Sequence, residues 1–75
     1  MGDRKQVLIT GAAGLVGGIL RAHWGDRYTL RLADIKPVGD TATHETFHQV
    51  DITDYNQMLD ACRETDTLVH LAADP

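Results

Sequence analysis

The apolar positions along the chain follow two periods, and their alternation predicts the secondary structure. Runs of aliphatic and β-branched residues between polar or glycine-rich stretches are typical of buried strands. Such runs predict four strands, at Gln6–Thr10, Tyr28–Ala33, Thr46–Val50 and Thr67–Leu71. Residues 35–45 lack periodicity and include Pro37 and Gly39, which favours a loop.

Two helices are predicted where apolar residues recur at intervals of three and four. The first extends from about Gly14 to Trp24. The second follows Asp51, with Thr53 or Asp54 as its N-cap. Their apolar stripes consist of Leu15, Val16, Ile19, Leu20 and His23 in the first helix, and of Tyr55, Met58, Leu59 and Cys62 in the second.

The order strand–helix–strand–strand–helix–strand predicts an α/β fold with a parallel sheet of about four strands and two crossover helices. Right-handed crossovers place the two helices on opposite faces if the strand order is 3-2-1-4. One helix on each face leaves much of a parallel sheet uncovered. We therefore expect the 75 residues to form part of one domain that needs further chain or self-association.

Composition and charge argue against several classes of protein. The formal net charge of −4 disfavours a nucleic-acid-binding surface, which is normally basic. The sequence contains no apolar run approaching the ~20 residues of a membrane span, and its N-terminus lacks the apolar stretch of a signal peptide. Cys62 is the single cysteine, so an internal disulfide is excluded, and a lone thiol favours a reducing, cytoplasmic location.

A glycine-rich turn, Thr10–Gly17 (TGAAGLVG), connects the first predicted strand to the first predicted helix. Gly11 allows a tight turn, Gly14 lets the backbone approach a pyrophosphate, and Gly17 lets the helix lie close to the sheet. The phosphates would then meet free N–H groups at the positive end of the helix dipole. Because the spacing is GxxGxxG rather than GxGxxG, a flexible strand-to-helix turn without a ligand is the alternative.

Asp34 lies at the end of the second predicted strand, close to the position about 20 residues after the glycines where dinucleotide sites carry an acidic residue. A carboxylate there can accept hydrogen bonds from both hydroxyls of the adenosine ribose, and it repels a 2′-phosphate. The predicted cofactor is therefore NAD, with NADP disfavoured. Lys36 could reach a 2′-phosphate and weaken this discrimination. A turn-capping aspartate is the alternative interpretation of Asp34.

Together these features resemble the extended short-chain dehydrogenase/reductases, the NAD-dependent epimerase/dehydratase family. The resemblance rests on four segments in the family's order, namely Thr10–Gly17, Asp34, VDITD at 50–54 and HLAA at 70–73. It implies a partial Rossmann fold in which residues 1–75 are the N-terminal part of a dinucleotide-binding domain. The segments 30–34 and 69–71 look most like the uronate dehydrogenase branch of the family.

The same resemblance implies a set of residues that contact the cofactor. The set comprises the turn residues Gly11, Gly14, Leu15, Val16 and Gly17, the adenosine contacts Asp34, Ile35, Asp51 and Ile52, and the segment under the cofactor's ribose, Leu71, Ala72 and Ala73. Asp51 is similar to the aspartate that accepts a hydrogen bond from the adenine amino group, with Ile52 beside the ring. Asp51 can equally cap the helix that follows it.

The family's catalytic Tyr-x-x-x-Lys is not found in the 75 residues, because Tyr28 and Tyr55 are each followed four residues later by leucine. No catalytic residue is therefore assigned, and the chain is expected to be a fragment or a remnant without the chemistry. The implied function is the NAD-binding segment of an oxidoreductase, epimerase or dehydratase acting on a sugar or sugar acid. The alternatives are a non-catalytic NAD(P)-binding sensor or regulatory protein, and an interaction module that retained the fold.

The run His44–His48 (HETFH) matches the zinc-protease pattern HExxH, which needs both histidines on one face of a stable helix. An apolar helical stripe does not surround it, so we expect a solvated loop entering a strand and no metal site. His70 alternates with apolar neighbours and is expected to be a buried, hydrogen-bonded histidine. Cys62 is expected to be a small hydrophobic residue on the inner face of the second helix.

Overall fold

The secondary structure consists of four strands and two helices in the predicted order. The computed structural model describes residues 4–63 and 65–71. The elements are β1 (Gln6–Thr10), α1 (Leu15–Trp24), β2 (Thr29–Asp34), β3 (Glu45–Gln49), α2 (Tyr55–Cys62) and β4 (Thr67–His70). The predicted strand bounds hold to within one residue.

All strand pairs in the sheet are parallel, and the strand order is β3-β2-β1-β4. This confirms the predicted α/β fold and its Rossmann-like topology. β1 is central, so its residues Leu8 and Ile9 are fully buried, as expected for a parallel strand covered on both faces. In register, Thr10 at the end of β1 lies beside Ala33 of β2 and His70 of β4. The carboxyl ends of these strands therefore meet at one edge of the sheet.

The two helices lie on opposite faces of the sheet. Alternation along β1 sends Val7 and Ile9 to the face that packs against Trp24 of α1. Leu8 points to the other face, where it shares a core with Ala61 of α2. Cys62 is half-buried against this second core, as predicted for a small hydrophobic residue. The placement of the two helices on opposite faces is the one predicted for the strand order 3-2-1-4.

Helix α1 contacts the sheet mainly through its backbone and its C-terminal end. Gly17 is the only buried residue of this helix. A Cβ at Gly17 would lie 2.5 Å from the carbonyl oxygen of Ala12, so only glycine permits this close approach. At the C-terminal end, the rings of Trp24 and Tyr28 pack edge to face with centroids 5.2 Å apart. The apolar stripe that predicts α1 is largely exposed in this chain, including Leu15, Val16 and Ile19.

The Asp54 side chain caps the N-terminus of helix α2. The Asp54 carboxylate accepts a hydrogen bond from the Gln57 backbone N–H at 3.1 Å, and the Gln57 side-chain amide donates to the same carboxylate at 3.2 Å. Asp54 is therefore the N-cap rather than Thr53. The cap fixes where the chain turns from Asp51 into the helix.

The HETFH run is not helical, because His44 lies in a turn and residues 45–48 belong to β3. His44 directly precedes β3, and its carbonyl oxygen accepts a hydrogen bond from Leu30 N–H at 2.9 Å. The His44 side chain is only 11% exposed, so the expectation of a solvated loop is wrong for this residue. Pairing with β2 is the physical reason, because it holds the segment against the sheet. Across residues 4–63 and 65–71, three or more His, Cys, Asp or Glu side chains do not come together to hold a metal ion.

Among the described residues, neither helix is long and apolar enough to cross a membrane.

Candidate functional site

Most of the predicted cofactor-binding residues lie at the carboxyl edge of the sheet, where parallel α/β folds bind ligands. The glycine turn is held there by two hydrogen bonds to the end of β2, because Gly11 N–H and Ala12 N–H both donate to the Ala33 carbonyl, at 2.9 and 3.2 Å. Leu71 N–H donates to the Thr10 carbonyl at 3.0 Å. The turn after β1 and the segment after β4 are therefore adjacent.

The turn itself has the conformation that its glycines permit. Gly11 has a φ of 73°, in the left-handed region that side chains disfavour. Gly14 N–H donates to the Gly11 carbonyl at 3.1 Å, which closes the turn, and Gly18 N–H donates to the Gly14 carbonyl as α1 begins. No side chain among the described residues caps this helix end, and its first turn carries no acidic residue. Such an uncapped N-terminus can bind an anion.

The Asp34 carboxylate contacts the glycine turn directly. Its Oδ2 accepts a hydrogen bond from Ala13 N–H at 2.9 Å, and its Oδ1 accepts one from Lys36 N–H at 3.0 Å. An ionised carboxylate has about four acceptor positions, so two remain for further donors. The half-buried side chain thus sits between the turn and the loop that follows β2. This arrangement suits a diol that must lie close to a bound pyrophosphate.

Asp51 forms a turn with Thr53 and does not cap α2. Its Oδ1 accepts from the backbone N–H of Thr53 at 2.9 Å and from the Thr53 hydroxyl at 2.7 Å. These two hydrogen bonds hold the pKa of the Asp51 carboxyl below its ordinary value, so the group is ionised at neutral pH. The Asp51 backbone N–H donates to the Gln57 side-chain oxygen at 2.8 Å. Asp51 and its neighbour Ile52 are both half-buried.

The apolar residues of the predicted set are divided between core and surface. Leu71 packs against the core on the α1 face. Leu15, Val16 and Ile35 are 81, 53 and 57% exposed, which leaves apolar surface beside the turn. Ala72 and Ala73 lie outside the described residues. The contacts with cofactor implied for all of these residues stay predictions.

One contact at this edge is missed by sequence reasoning. The hydroxyl of Thr10, which is fully buried, lies 2.6 Å from Nδ1 of His70 and forms a hydrogen bond with it. The expectation that His70 is hydrogen-bonded is right, but the residue is exposed rather than buried, because the α2 side of β4 carries no packed helix in the described chain. The contact between Thr10 and His70 follows from the register of β1 and β4, which places the two residues side by side.

An open cavity of about 390 Å³ lies on the α2 face of the sheet, away from the glycine turn. Arg31 forms part of its wall and donates to the carbonyl oxygens of Ala61 and Arg63, at 3.2 and 2.6 Å. These bonds satisfy carbonyl groups at the C-terminal end of α2. The cavity contains none of the predicted cofactor-binding residues.

A Rossmann-like sheet with a glycine turn after β1 and an acidic residue after β2 defines a class of α/β proteins that includes many dehydrogenases. Residues 7–75 match the family described as NAD dependent epimerase/dehydratase. The chain belongs to this family.

Its relatives include dehydrogenases of sugars and sugar acids. The NAD-dependent glucose-6-phosphate dehydrogenase of Haloferax volcanii is 35% identical over 76 residues, covering 95% of this chain and 29% of that protein. Uronate dehydrogenase from Agrobacterium tumefaciens is 33% identical with a TM-score of 0.85, covering 95% of this chain and 27% of its own. Glucuronic acid dehydrogenase from Chromohalobacter salexigens is 32% identical with a TM-score of 0.86, and the match covers 97% of this chain and 28% of that enzyme.

A mutant of the A. tumefaciens enzyme has been solved in complex with NAD and superimposes with the same TM-score of 0.85. The chain spans less than a third of the length of each of these relatives.

Proposed function

We propose that this chain is the N-terminal, NAD-binding part of a Rossmann domain in a dehydrogenase that oxidises a sugar or sugar acid. The observation that carries the proposal is the hydrogen bond of 2.9 Å between the Asp34 carboxylate and the Ala13 N–H of the glycine turn. It brings a group that can bind ribose hydroxyls next to a backbone that can bind phosphate. Ribose hydroxyls and phosphate groups lie next to each other in the adenosine diphosphate half of NAD.

Each part of that half has a matching group along the sheet edge. The uncapped first turn of α1 offers N–H donors to the pyrophosphate. The Asp34 carboxylate accepts hydrogen bonds from the ribose hydroxyls at its remaining acceptor positions. The Asp51 carboxylate, which is ionised and half-buried, accepts a hydrogen bond from the adenine amino group. Ile52 packs beside the adenine ring. The remaining predicted contacts with the cofactor are Gly11, Gly14, Leu15, Val16, Gly17, Ile35, Leu71, Ala72 and Ala73.

The substrate class is proposed from the relatives. They are named for glucose 6-phosphate, uronates and glucuronic acid, all of which are sugars or sugar acids. NAD, when bound, accepts a hydride from the carbon that is oxidised. The residues of this chain hold and orient the adenosine and pyrophosphate part, and the family's Tyr-x-x-x-Lys is not among them. Their contribution is binding energy and orientation.

Paired binding of NAD and NADP tests the proposal. In the protein that carries this chain, we expect NAD to bind more tightly than NADP, because the Asp34 carboxylate repels a 2′-phosphate. Asp34→Ala should weaken NAD binding about tenfold to a hundredfold through the loss of charged hydrogen bonds. It should leave NADP unchanged or tighter. The measurement is titration calorimetry with each cofactor.

Asp26→Ala is the matched control, because Asp26 is exposed in the turn after α1 and lies outside the predicted cofactor-binding set. It should leave both dissociation constants unchanged. Equal affinity of the unmodified protein for NAD and NADP, or an unchanged ratio in Asp34→Ala, would remove Asp34 from this role. A protein that binds neither cofactor would contradict the proposed function as a whole.

A further inference from the structure

A two-point ion pair joins helix α1 to the start of β3. Arg21 Nε lies 2.8 Å from Glu45 Oε2, and Arg21 Nη2 lies 2.9 Å from Glu45 Oε1. The side chains are only 18% and 4% exposed, so water screens the pair poorly. The guanidinium lowers the pKa of the Glu45 carboxyl to about 2. The pair is therefore fully charged at neutral pH.

The same two side chains also hold the loop between β2 and β3. Arg21 Nη2 donates to the Asp40 carbonyl at 3.1 Å, and Glu45 Oε1 accepts from Ala42 N–H at 3.0 Å. This loop, residues 35–44, has irregular backbone, with Gly39 at a φ of 83°. Its middle is thus attached to α1 through Arg21 and to β3 through Glu45.

The loop begins at the residues proposed to contact adenosine. Asp34 ends β2 and Ile35 is the first residue of the loop. The ion pair is not the loop's sole anchor, because Val38 packs against the core on the α1 face and the Gln49 side-chain amide donates to the Ile35 carbonyl at 3.3 Å. Among the described residues, Arg21 supplies the hydrogen bonds that join α1 to the middle of this loop and to the start of β3.

We propose that Arg21 and Glu45 are positioning residues for the adenosine half of the dinucleotide. By holding Asp40 and Ala42 between α1 and β3, the pair fixes the course of the loop that begins at Ile35, next to Asp34. Neither residue belongs to the predicted cofactor-binding set, and both act through the loop. The inference rests on the proposed function. It also gives Glu45 of the HETFH run a role that involves no metal.

The test compares binding of NAD and of AMP to the protein that carries this chain and to three variants. Arg21→Met removes the charge, Arg21→Lys keeps the charge but loses the two-point geometry, and Glu45→Gln keeps hydrogen-bonding capacity without the charge. Calorimetry gives both the dissociation constant and the fraction of molecules that bind. A purely structural role lowers only the binding fraction, whereas loss of positioning raises the dissociation constant of the folded molecules.

We expect the dissociation constants of NAD and AMP to rise together, by about 2- to 30-fold in Arg21→Met and less in Arg21→Lys, as is typical of coupling through a packed element. AMP carries only the adenosine half, so a rise for NAD without one for AMP would overturn the proposal. Arg63→Met is the matched control. It breaks the exposed Arg63–Asp60 pair, whose side chains are 71% and 73% exposed, and should change neither constant.

Unchanged dissociation constants in all three variants would refute the positioning role while leaving the proposed function intact. If Arg21→Met unfolds, Arg21→Lys and Glu45→Gln decide the matter, because both retain most of the packing. Unfolding of these two as well would show that the pair is a folding determinant and would equally reject the proposal. Failure of the unmodified protein to bind NAD would instead count against the proposed function.

Discussion

At the scale of single residues, the sequence predicts what depends on distance along the chain and misses what depends on register. Asp34 is predicted by its spacing from the glycines, and the structure places it against the turn at Ala13. The Thr10–His70 hydrogen bond joins residues 60 positions apart. It follows from which strands are neighbours and how they align, and local periodicity contains neither piece of information. The ion pair between α1 and β3 is missed for the same reason.

The ion pair of Glu45 makes the free energy of unfolding depend on pH. Its folded-state pKa of about 2 lies below the ordinary value of 4.5, so pairing with Arg21 stabilises the fold above pH 4.5 and this stabilisation disappears as the pH falls through about 2. We expect Glu45→Gln to lower the free energy of unfolding by on the order of 2–3 kcal/mol at neutral pH, where the pair is intact.

The difference between Glu45→Gln and the unmodified chain should be constant above about pH 5 and should shrink steadily towards pH 2. Urea unfolding at several pH values measures it. Asp60→Asn, in an ion pair with 73% of the aspartate side chain exposed, is the control and should change stability little at any pH. A difference for Glu45→Gln that does not depend on pH would contradict this account.

At the scale of elements, periodicity predicts that α1 exists but does not predict how it packs. Its stripe of Leu15, Val16 and Ile19 suggests a helix docked by side chains. Those side chains are exposed, and the contact is made by Gly17 against Ala12. A residue without a side chain contributes nothing to a hydrophobic pattern, so its role is visible only from the GxxGxxG motif. Strand bounds are predicted better, because each strand ends at a polar or glycine residue.

Two adjacent glycines of α1 should respond oppositely to the same substitution. A Cβ at Gly17 would meet three backbone atoms of Ala12 at 2.5–2.9 Å, so Gly17→Ala must displace the helix and should destabilise the chain by about 1–3 kcal/mol. At Gly18 a Cβ meets nothing within 4 Å. Gly18→Ala should therefore stabilise the helix by about 0.5–1 kcal/mol.

Thermal or urea unfolding of the two variants, measured side by side, checks the opposite signs. Because the substitutions are chemically identical and neighbouring in sequence, differences in expression or helix propensity affect both equally. Equal destabilisation by the two substitutions would mean that the close approach of α1 to the glycine turn does not occur in solution.

At the scale of the whole molecule, the described chain has more apolar surface than two helices can cover. The exposed large hydrophobic residues are Leu15, Val16, Ile19, Ile35, Tyr55, Leu59 and Leu68. Within residues 4–63 and 65–71, β4 pairs only with β1, so its other edge carries backbone groups without a strand partner there. The sequence predicts this shortfall from element counts alone, because one helix per face is too few for a parallel sheet.

We therefore expect the 75-residue polypeptide, made by itself, to be weakly stable or self-associated. Sedimentation velocity over a hundredfold concentration range, combined with thermal unfolding, measures both properties. Concentration-dependent association or a broad, low transition is the expected result. A cooperative transition with a single monomeric species at high concentration would contradict it.

The same polypeptide should not oxidise sugars or uronic acids with NAD, because its tyrosines, Tyr28 and Tyr55, are not followed by a lysine four residues later. Absorbance of NADH at high protein concentration is the measurement. Reproducible turnover by pure material would show that a different group acts as the base.

The central place of β1 has a consequence for how the molecule is made. β1 is synthesised before β4, its neighbour on one side, and Thr10 pairs with His70, which comes 60 residues later in the chain. Pairing over such separations is slow to form, since loop closure must precede the contacts that reward it. One edge of β1 therefore stays unpaired until β4 has been synthesised. A chaperone that shields extended apolar segments would have its main target in residues 6–10 of the nascent chain.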